Sequence, residues 1–409
     1  MRYPFIVSIL LASALIAQDN NLKMPEISLI GDLSWVGRSI DDERYSDLSI
    51  PGLTHAHHAD DGHHHATINA KRGLNLNYAE LMLSSAVDPY VELQAVLHLS
   101  EEGVEIEELV ATTTSLPWNL QARAGKFYSR FGRLNAKHHH VWNFSNQPLV
   151  YEAFFGPHNL LEKGVGVEWV SPLPFYLAIG GELLRGENEN SFGEAGFQPA
   201  SAGENFHQKV EPSSQPGVTT LYLKGSEEFG DLTLLAGASW ARGSARLNHL
   251  REAKPHAFAG TTTLMGVDLT LRYDFAPHRY LQFQSEWMTR TMEGMKYVPT
   301  ENNNSWDMTK TSAITKDQAG WYGEVIWGLS KEWRVGARLD GITKNVARKP
   351  DDLYQYNLMA EYNPSEFSRF RLQFTRDEAR VDDAENRVSS NTLILQWNLS
   401  IGAHGAHPF

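Results

Sequence analysis

Two histidine clusters hold the most evident chemistry of this 409-residue chain. The stretch THAHHADDGHHHAT places His55, His57, His58, His63, His64 and His65 around Asp60 and Asp61, and a second run supplies His138, His139 and His140. Neutral imidazoles and carboxylates are good ligands for Zn²⁺, Cu²⁺ and Ni²⁺. Neither run fixes a geometry of its own, whereas a structural zinc site sets four spaced ligands on ordered elements. The expectation is low-specificity capture of divalent metal, zinc first among the candidates, with no cofactor required. A solvated loop that binds metal adventitiously is the plain alternative. No HExxH, Gly-x-Ser-x-Gly or Walker pattern accompanies the histidines, so an enzyme is not expected.

What carries these clusters follows from the rest of the chain. There are 36 Lys+Arg against 49 Asp+Glu, a net charge of −13 and no cysteine. An acidic chain is a poor partner for nucleic acid. Without cysteine there is no disulfide framework and no thiolate metal site. Residues 1–17 combine one basic residue, an apolar stretch and small residues, which reads as a secretory signal peptide. Residues 18–26 then form a short periplasmic segment. No later stretch supplies the ~20 apolar residues of a transmembrane helix.

Strand alternation supplies the apolar surface instead. In RFRLQFTR, Phe370, Leu372 and Phe374 oppose Arg369, Arg371, Gln373 and Thr375; YLQFQSEW, VDLTLRYDF, WRVGARLD and VELQAVLHL repeat the pattern. A period of two with unlike faces is a strand signature. Tight turns (DP at 88–89, LPWN at 116–119, PLPF at 172–175, EFGD at 228–231, APHR at 276–279, SKEW at 330–333, NPSEFS at 363–368) alternate with longer polar stretches at 39–73, 129–163, 187–217, 244–260, 293–317, 344–354 and 380–390. Only EEG at 101–103 is a short member of the long class. This rhythm predicts an all-β fold over 27–409, a single transmembrane up-and-down antiparallel β-barrel of about sixteen strands with short periplasmic turns and long external loops. Its strands run from about Ile27 to about Ile401. A secreted β-sandwich is the competing architecture, but it seldom sets so many ionised groups opposite its apolar face.

A charged side chain facing lipid at mid-depth costs ~2–4 kcal/mol, so the polar face must be the lumen. That predicts a pore lined by Glu92, Arg123, Arg272, Glu286, Arg290, Glu324, Arg334, Arg338, Asp340, Arg369 and Arg371, with both signs of charge. Charges that pair and merely fill the interior are the alternative. The segment 129–163 is too rich in apolar and aromatic residues for a free tip; Trp142, Phe144, Tyr151, Phe154 and Phe155 need cover. It is expected to fold into the barrel as a constriction or lid with His138, His139, His140 and His158 at the pore mouth. Packing on neighbouring loops outside is the alternative. The first histidine run falls in the external loop 39–73.

The run LNLNYAELMLSSAVDPYVELQAVLHLSEEGVEIEELVATTTSLPWNLQARAGKFYSRFGRLN resembles the phosphate-selective porin O/P superfamily of sixteen-stranded porins. With HHHVWNF, QPLVYEAFFGPHNL and the final GAHGAHPF, it is more closely similar to Gram-negative proteins often labelled zinc-regulated TonB-dependent outer-membrane receptors. The resemblance is strongest over 74–170 and implies a bacterial outer-membrane channel. The receptor part of the label does not fit, because nothing before Ile27 can form a plug and about 390 residues cannot also build a barrel of about 22 strands. The expected function is passive entry of small polar or ionic solutes, with His-rich loops that capture metal. A surface metal-binding or adhesive barrel without significant transport is the other reading. Outer-membrane lipid, the assembly machinery and a homotrimeric arrangement are the partners this implies.

Overall fold

A computed structural model describes residues 25–51, 53, 68–101, 103–188, 190–203, 206–251, 254–345 and 353–402. The signal-peptide segment and the whole histidine run from His55 to His65, with Asp60 and Asp61, lie outside these described residues.

Sixteen antiparallel strands close on themselves. They are β1 (Glu26–Arg38), β2 (Gly73–Asp88), β3 (Val91–Leu99), β4 (Val104–Thr113), β5 (Leu120–Tyr128), β6 (Leu161–Val170), β7 (Tyr176–Leu184) and β8 (Val218–Phe229). The second half comprises β9 (Leu232–His249), β10 (His256–Ala276), β11 (Arg279–Tyr297), β12 (Ser312–Gly328), β13 (Trp333–Asn345), β14 (Leu353–Ser365), β15 (Ser368–Val381) and β16 (Arg387–Gly402). Each strand pairs with its sequence neighbours, and β1 pairs with β16 from Ser28↔Gly402 to Arg38↔Thr392. Closure leaves no open edge, so ladder groups find partners without water; the β4–β5 seam is the short one, paired from Leu109↔Lys126 to Thr112↔Arg123.

The two faces separate as the alternation requires. On β16, Leu393, Leu395, Trp397 and Leu399 are exposed outward while Ile394, Gln396 and Asn398 are buried inward. On β15, Phe370, Leu372 and Phe374 point out and Arg371 and Gln373 point in. Trp118, Tyr90, Trp333 and Tyr362 sit exposed near the tight-turn end, where an aromatic girdle belongs. The barrel is an outer-membrane protein by its own surface: a closed sheet with an outward apolar face is the β-structure that a bilayer tolerates.

Loop lengths depart from the expected ones. β9 and β10 run on to His249 and from His256, so the stretch expected as loop 244–260 is mostly a hairpin. The connection after β15 likewise shrinks to 382–386. The physical reason is that the strands continue past the apolar belt, where Ser244, Arg246 and Asn248 alternate with the buried Ala245 and Leu247, so the outer face turns polar while the ladder goes on.

Candidate metal centre and luminal loop

Segment 129–160, between β5 and β6, folds across the lumen and carries the helix α1 (Leu149–Phe155). An inner apolar cluster holds it. Phe131, Leu134, Trp142, Leu149, Val150, Tyr151, Phe154 and Phe155 are buried with wall residues Leu184, Val218, Leu264, Met288, Tyr322 and Ile342. Gly132 turns the chain with φ +67°, and a Cβ there would meet Glu286 Oε2 and Tyr151 Oη at 2.6 Å, a position only glycine fills without strain.

Polar anchors surround that core. Glu286 accepts hydrogen bonds from the backbone N–H of Arg133 (2.7 Å) and Leu134 (2.9 Å) and from the hydroxyls of Tyr151 (2.9 Å) and Tyr322 (2.7 Å). Arg338 donates to the carbonyls of Asn146 (2.9 Å) and Gln147 (3.1 Å) and pairs with Asp340 at 3.1 Å. Gln373 accepts from Ser145 N–H at 2.7 Å, Glu324 accepts from Asn143 at 2.6 Å, and Arg371 donates to Trp142 O at 2.6 Å. Arg290 donates to Asn190 O (2.7 Å) and Gln318 Oε1 (2.8 Å) beneath the loop. Thus Glu286, Arg290, Glu324, Arg338, Asp340 and Arg371 are buried side chains that grip the loop or its wall.

The remaining charges expected along the pore keep more exposure. Arg123 pairs with Glu182, and Arg272 pairs with Asp274 at 3.0 Å. Glu92 is exposed and accepts from Ser84 at 2.8 Å. Arg334 and Arg371 both donate to Glu361, at 2.5 and 2.9 Å, and Arg369 stands 3.8 Å away.

The histidine triplet lies against β2 and β4. His138 Nε2 bonds Glu108 Oε2 at 2.9 Å, and its Nδ1 stands 3.4 Å from Glu80 Oε2 and 3.6 Å from Glu107 Oε2. His140 Nδ1 is 3.2 Å from the same Glu80 oxygen. Glu80, His138 and His140 bring one ligand atom each within 4.8 Å of one another. Burial opposes charge on His138, but Glu80 and Glu107 outweigh it and hold its pKa well above the ordinary histidine value.

His139 differs. Tyr78 Oη meets its Nδ1 at 3.0 Å and Ser145 O its Nε2 at 3.4 Å, which occupies both ring nitrogens. Burial, with Arg371 and Arg369 adding to it against the pull of Asp32, pushes its pKa down to about 4. His158 is exposed on the loop.

Glu107 and Glu108 were not among the residues singled out from the sequence. A register shift between Val96 and Leu97 leaves Glu107 as an extra residue on β4. Such a bulge re-aims side chains, and here two successive carboxylates reach His138. The doublet in EIEELV, which breaks the alternation, is the signal that marks it. A second shift makes Asn77 the extra residue of β2, so that Asn77 and Tyr78 are both buried beside the triplet.

No family model matches the sequence. An uncharacterized protein of Aquifex aeolicus is 46% identical over 394 residues, covering 94% of this chain and 80% of that one. The chain belongs to the family of that protein. Among solved structures, the outer-membrane channel DcaP of Acinetobacter baumannii is similar with a TM-score of 0.52 at 9% identity, over 92% of this chain and 96% of that one. The anion-selective porin from Comamonas acidovorans gives 0.52 at 8% identity, over 92% of this chain and all of the other. OprB of Pseudomonas putida gives 0.50 at 8% identity, over 92% and 94%. At these identities the likeness is one of fold, and it agrees with the sixteen-strand closure.

Proposed function

We propose that this protein is an outer-membrane channel for passive entry of small polar or ionic solutes, whose cross-section is set by segment 129–160. The observation that carries the reading is a loop seated across a lumen walled by charges of both signs, including the exposed Glu92 and the part-exposed Arg334 and Arg369. Opposed charges along a narrowed passage favour small polar solutes. The similar folds of an outer-membrane channel and an anion-selective porin support the same reading. Divalent metal, zinc first, is captured by the histidine-rich segments 54–66 and 138–140.

Planar-bilayer recording tests it. Discrete conductance steps from the purified protein are expected, and no current with or without zinc would sink the channel. A second reading, a metal-binding surface barrel with little transport, draws on the loop's bonds, which run from Glu80 on β2 to Gln373 on β15. Replacing 54–66 with Gly and Ser separates the two: if metal uptake falls and solute flux persists unchanged, the run is no part of a pore.

A further inference from the structure

The wall at β2–β4 holds an excess of buried acid. Glu80, Glu107 and Glu108 all face His138 at 3.6 Å or less. Unlike the acids on β13–β15, none of the three has a Lys or Arg ion pair among the described contacts. Glu80 Oε1, Glu107 Oε2 and His138 Nδ1 are buried with no hydrogen-bond partner among the described residues, and Glu80 as a whole is 2% exposed. A buried carboxylate oxygen with nothing to accept is costly unless something else satisfies it.

Three of the donor separations match those around a bound metal ion, and Glu80, His138 and His140 are mutually close. Four donors held at about 2.0–2.2 Å around a tetrahedral zinc-class ion stand about 3.3–3.6 Å apart. His138 Nδ1 lies 3.4 Å from Glu80 and 3.6 Å from Glu107, and His140 Nδ1 lies 3.2 Å from Glu80. Glu108 bonds the far nitrogen of His138 at 2.9 Å. A carboxylate behind a histidine is the usual way to fix which nitrogen faces a metal.

We propose that Glu80, Glu107, His138 and His140 form an internal site for one divalent transition-metal ion of the zinc class, with Glu108 positioning His138, and that the ion ties the luminal loop to the β2–β4 wall. His139 takes no part, since Tyr78 and Ser145 occupy its nitrogens. The two-nitrogen, two-oxygen donor set suits Zn²⁺ and its neighbours better than Mg²⁺ or Ca²⁺, which prefer oxygen alone. This deepens the metal half of the proposed function and rests on it only for the choice of ion; the site would stand in a barrel that carries no current.

The test uses the full chain with the histidines of 54–66 replaced by Ser, so that the outer run contributes nothing. Zn²⁺ is added, the protein is desalted, and bound metal is counted by elemental analysis. One retained equivalent is expected, lost in E80Q and in H140Q, with affinity lowered about 10–100-fold in E108Q. No retained equivalent, or one that E80Q and H140Q leave intact, overturns the site. Gel mobility before and after heating confirms that each variant is folded. Should a variant fail to assemble, Co²⁺ loaded into the parent decides: an X-ray absorption spectrum with two imidazoles and two oxygens supports the site, and an all-oxygen shell overturns it. Bilayer recording of the same protein keeps the outcomes apart, because a bound equivalent without current refutes only the channel, and current without a bound equivalent refutes only the site.

Discussion

Two arcs of the inner wall solve opposite electrostatic problems. On β13–β15 one carboxylate, Glu361, is surrounded by the guanidiniums of Arg334, Arg369 and Arg371. On β2–β4 one imidazole, His138, is surrounded by the carboxylates of Glu80, Glu107 and Glu108. The arginine arc also satisfies its extra donors with neutral acceptors: Arg371 reaches Gln396 and Trp142 O, and Arg369 reaches Asn398. The acid arc leaves carboxylate oxygens with nothing to accept. A guanidinium carries five donors and can spread them over neutral carbonyls, whereas a carboxylate needs donors brought to it. Around Glu361 every carboxylate oxygen is met by a guanidinium, although Asp340 Oδ1 on β13 is also without a hydrogen bond among the described residues. Around His138 the surplus of acid is not met by any Lys or Arg among the described contacts and calls for a cation.

Removing the central acid is the severest way to break this comparison. Glu361→Gln leaves three arginines facing one another without a counter-charge, and a loss of about 3–5 kcal/mol in barrel stability is expected. Urea titration of the heat-modifiable band measures it, and a loss below about 1 kcal/mol would erase the distinction between the arcs.

The Glu286 hub sharpens it, being a buried carboxylate satisfied by neutral donors alone. Gly132→Ala pushes a methyl against Glu286 and Tyr151, and a cost of about 1–3 kcal/mol is expected in the same titration. Tyr151→Phe removes one of the donors and should cost about 1 kcal/mol.

The smallest effect belongs to the acid arc. In chelator-treated protein Glu107→Gln should change stability by less than about 1 kcal/mol, because relief of carboxylate repulsion offsets the weakened contact with His138. A loss like that of Glu361→Gln would show that both arcs are finished structures.

Much of the fold was legible from alternation and turn chemistry. Strands expected from Ile27 to Ile401 run from Glu26 to Gly402, and the turns at LPWN and APHR fall where expected. The pattern is legible because lipid on one side and polar lumen on the other impose a strict period of two. It fails where either face changes solvent. β9 and β10 leave the apolar belt and keep pairing, so polar stretches read as loop are ladder.

The candidate site was legible only in part. His138 and His140 stood out as a run, but the bulges at Asn77 and Glu107 shift strand parity by one, and parity decides which acids face the histidines. Nor does spacing separate His139 from its neighbours; a tyrosine hydroxyl 61 residues away does.

The seam between β1 and β16 sets an order of events. It joins the first strand to the last, from Ser28↔Gly402 to Arg38↔Thr392, so the cylinder cannot shut until the final strand has been laid down. Segment 129–160 belongs to the first half of the chain, yet its anchors lie far downstream: Glu286 is 153 residues beyond Arg133, and Gln373 is 228 beyond Ser145. The segment must therefore wait, with its aromatic side chains uncovered, while most of the wall is made. Closing the seam and seating the segment become a single late commitment, with the wall wrapped around its contents like staves around a mandrel.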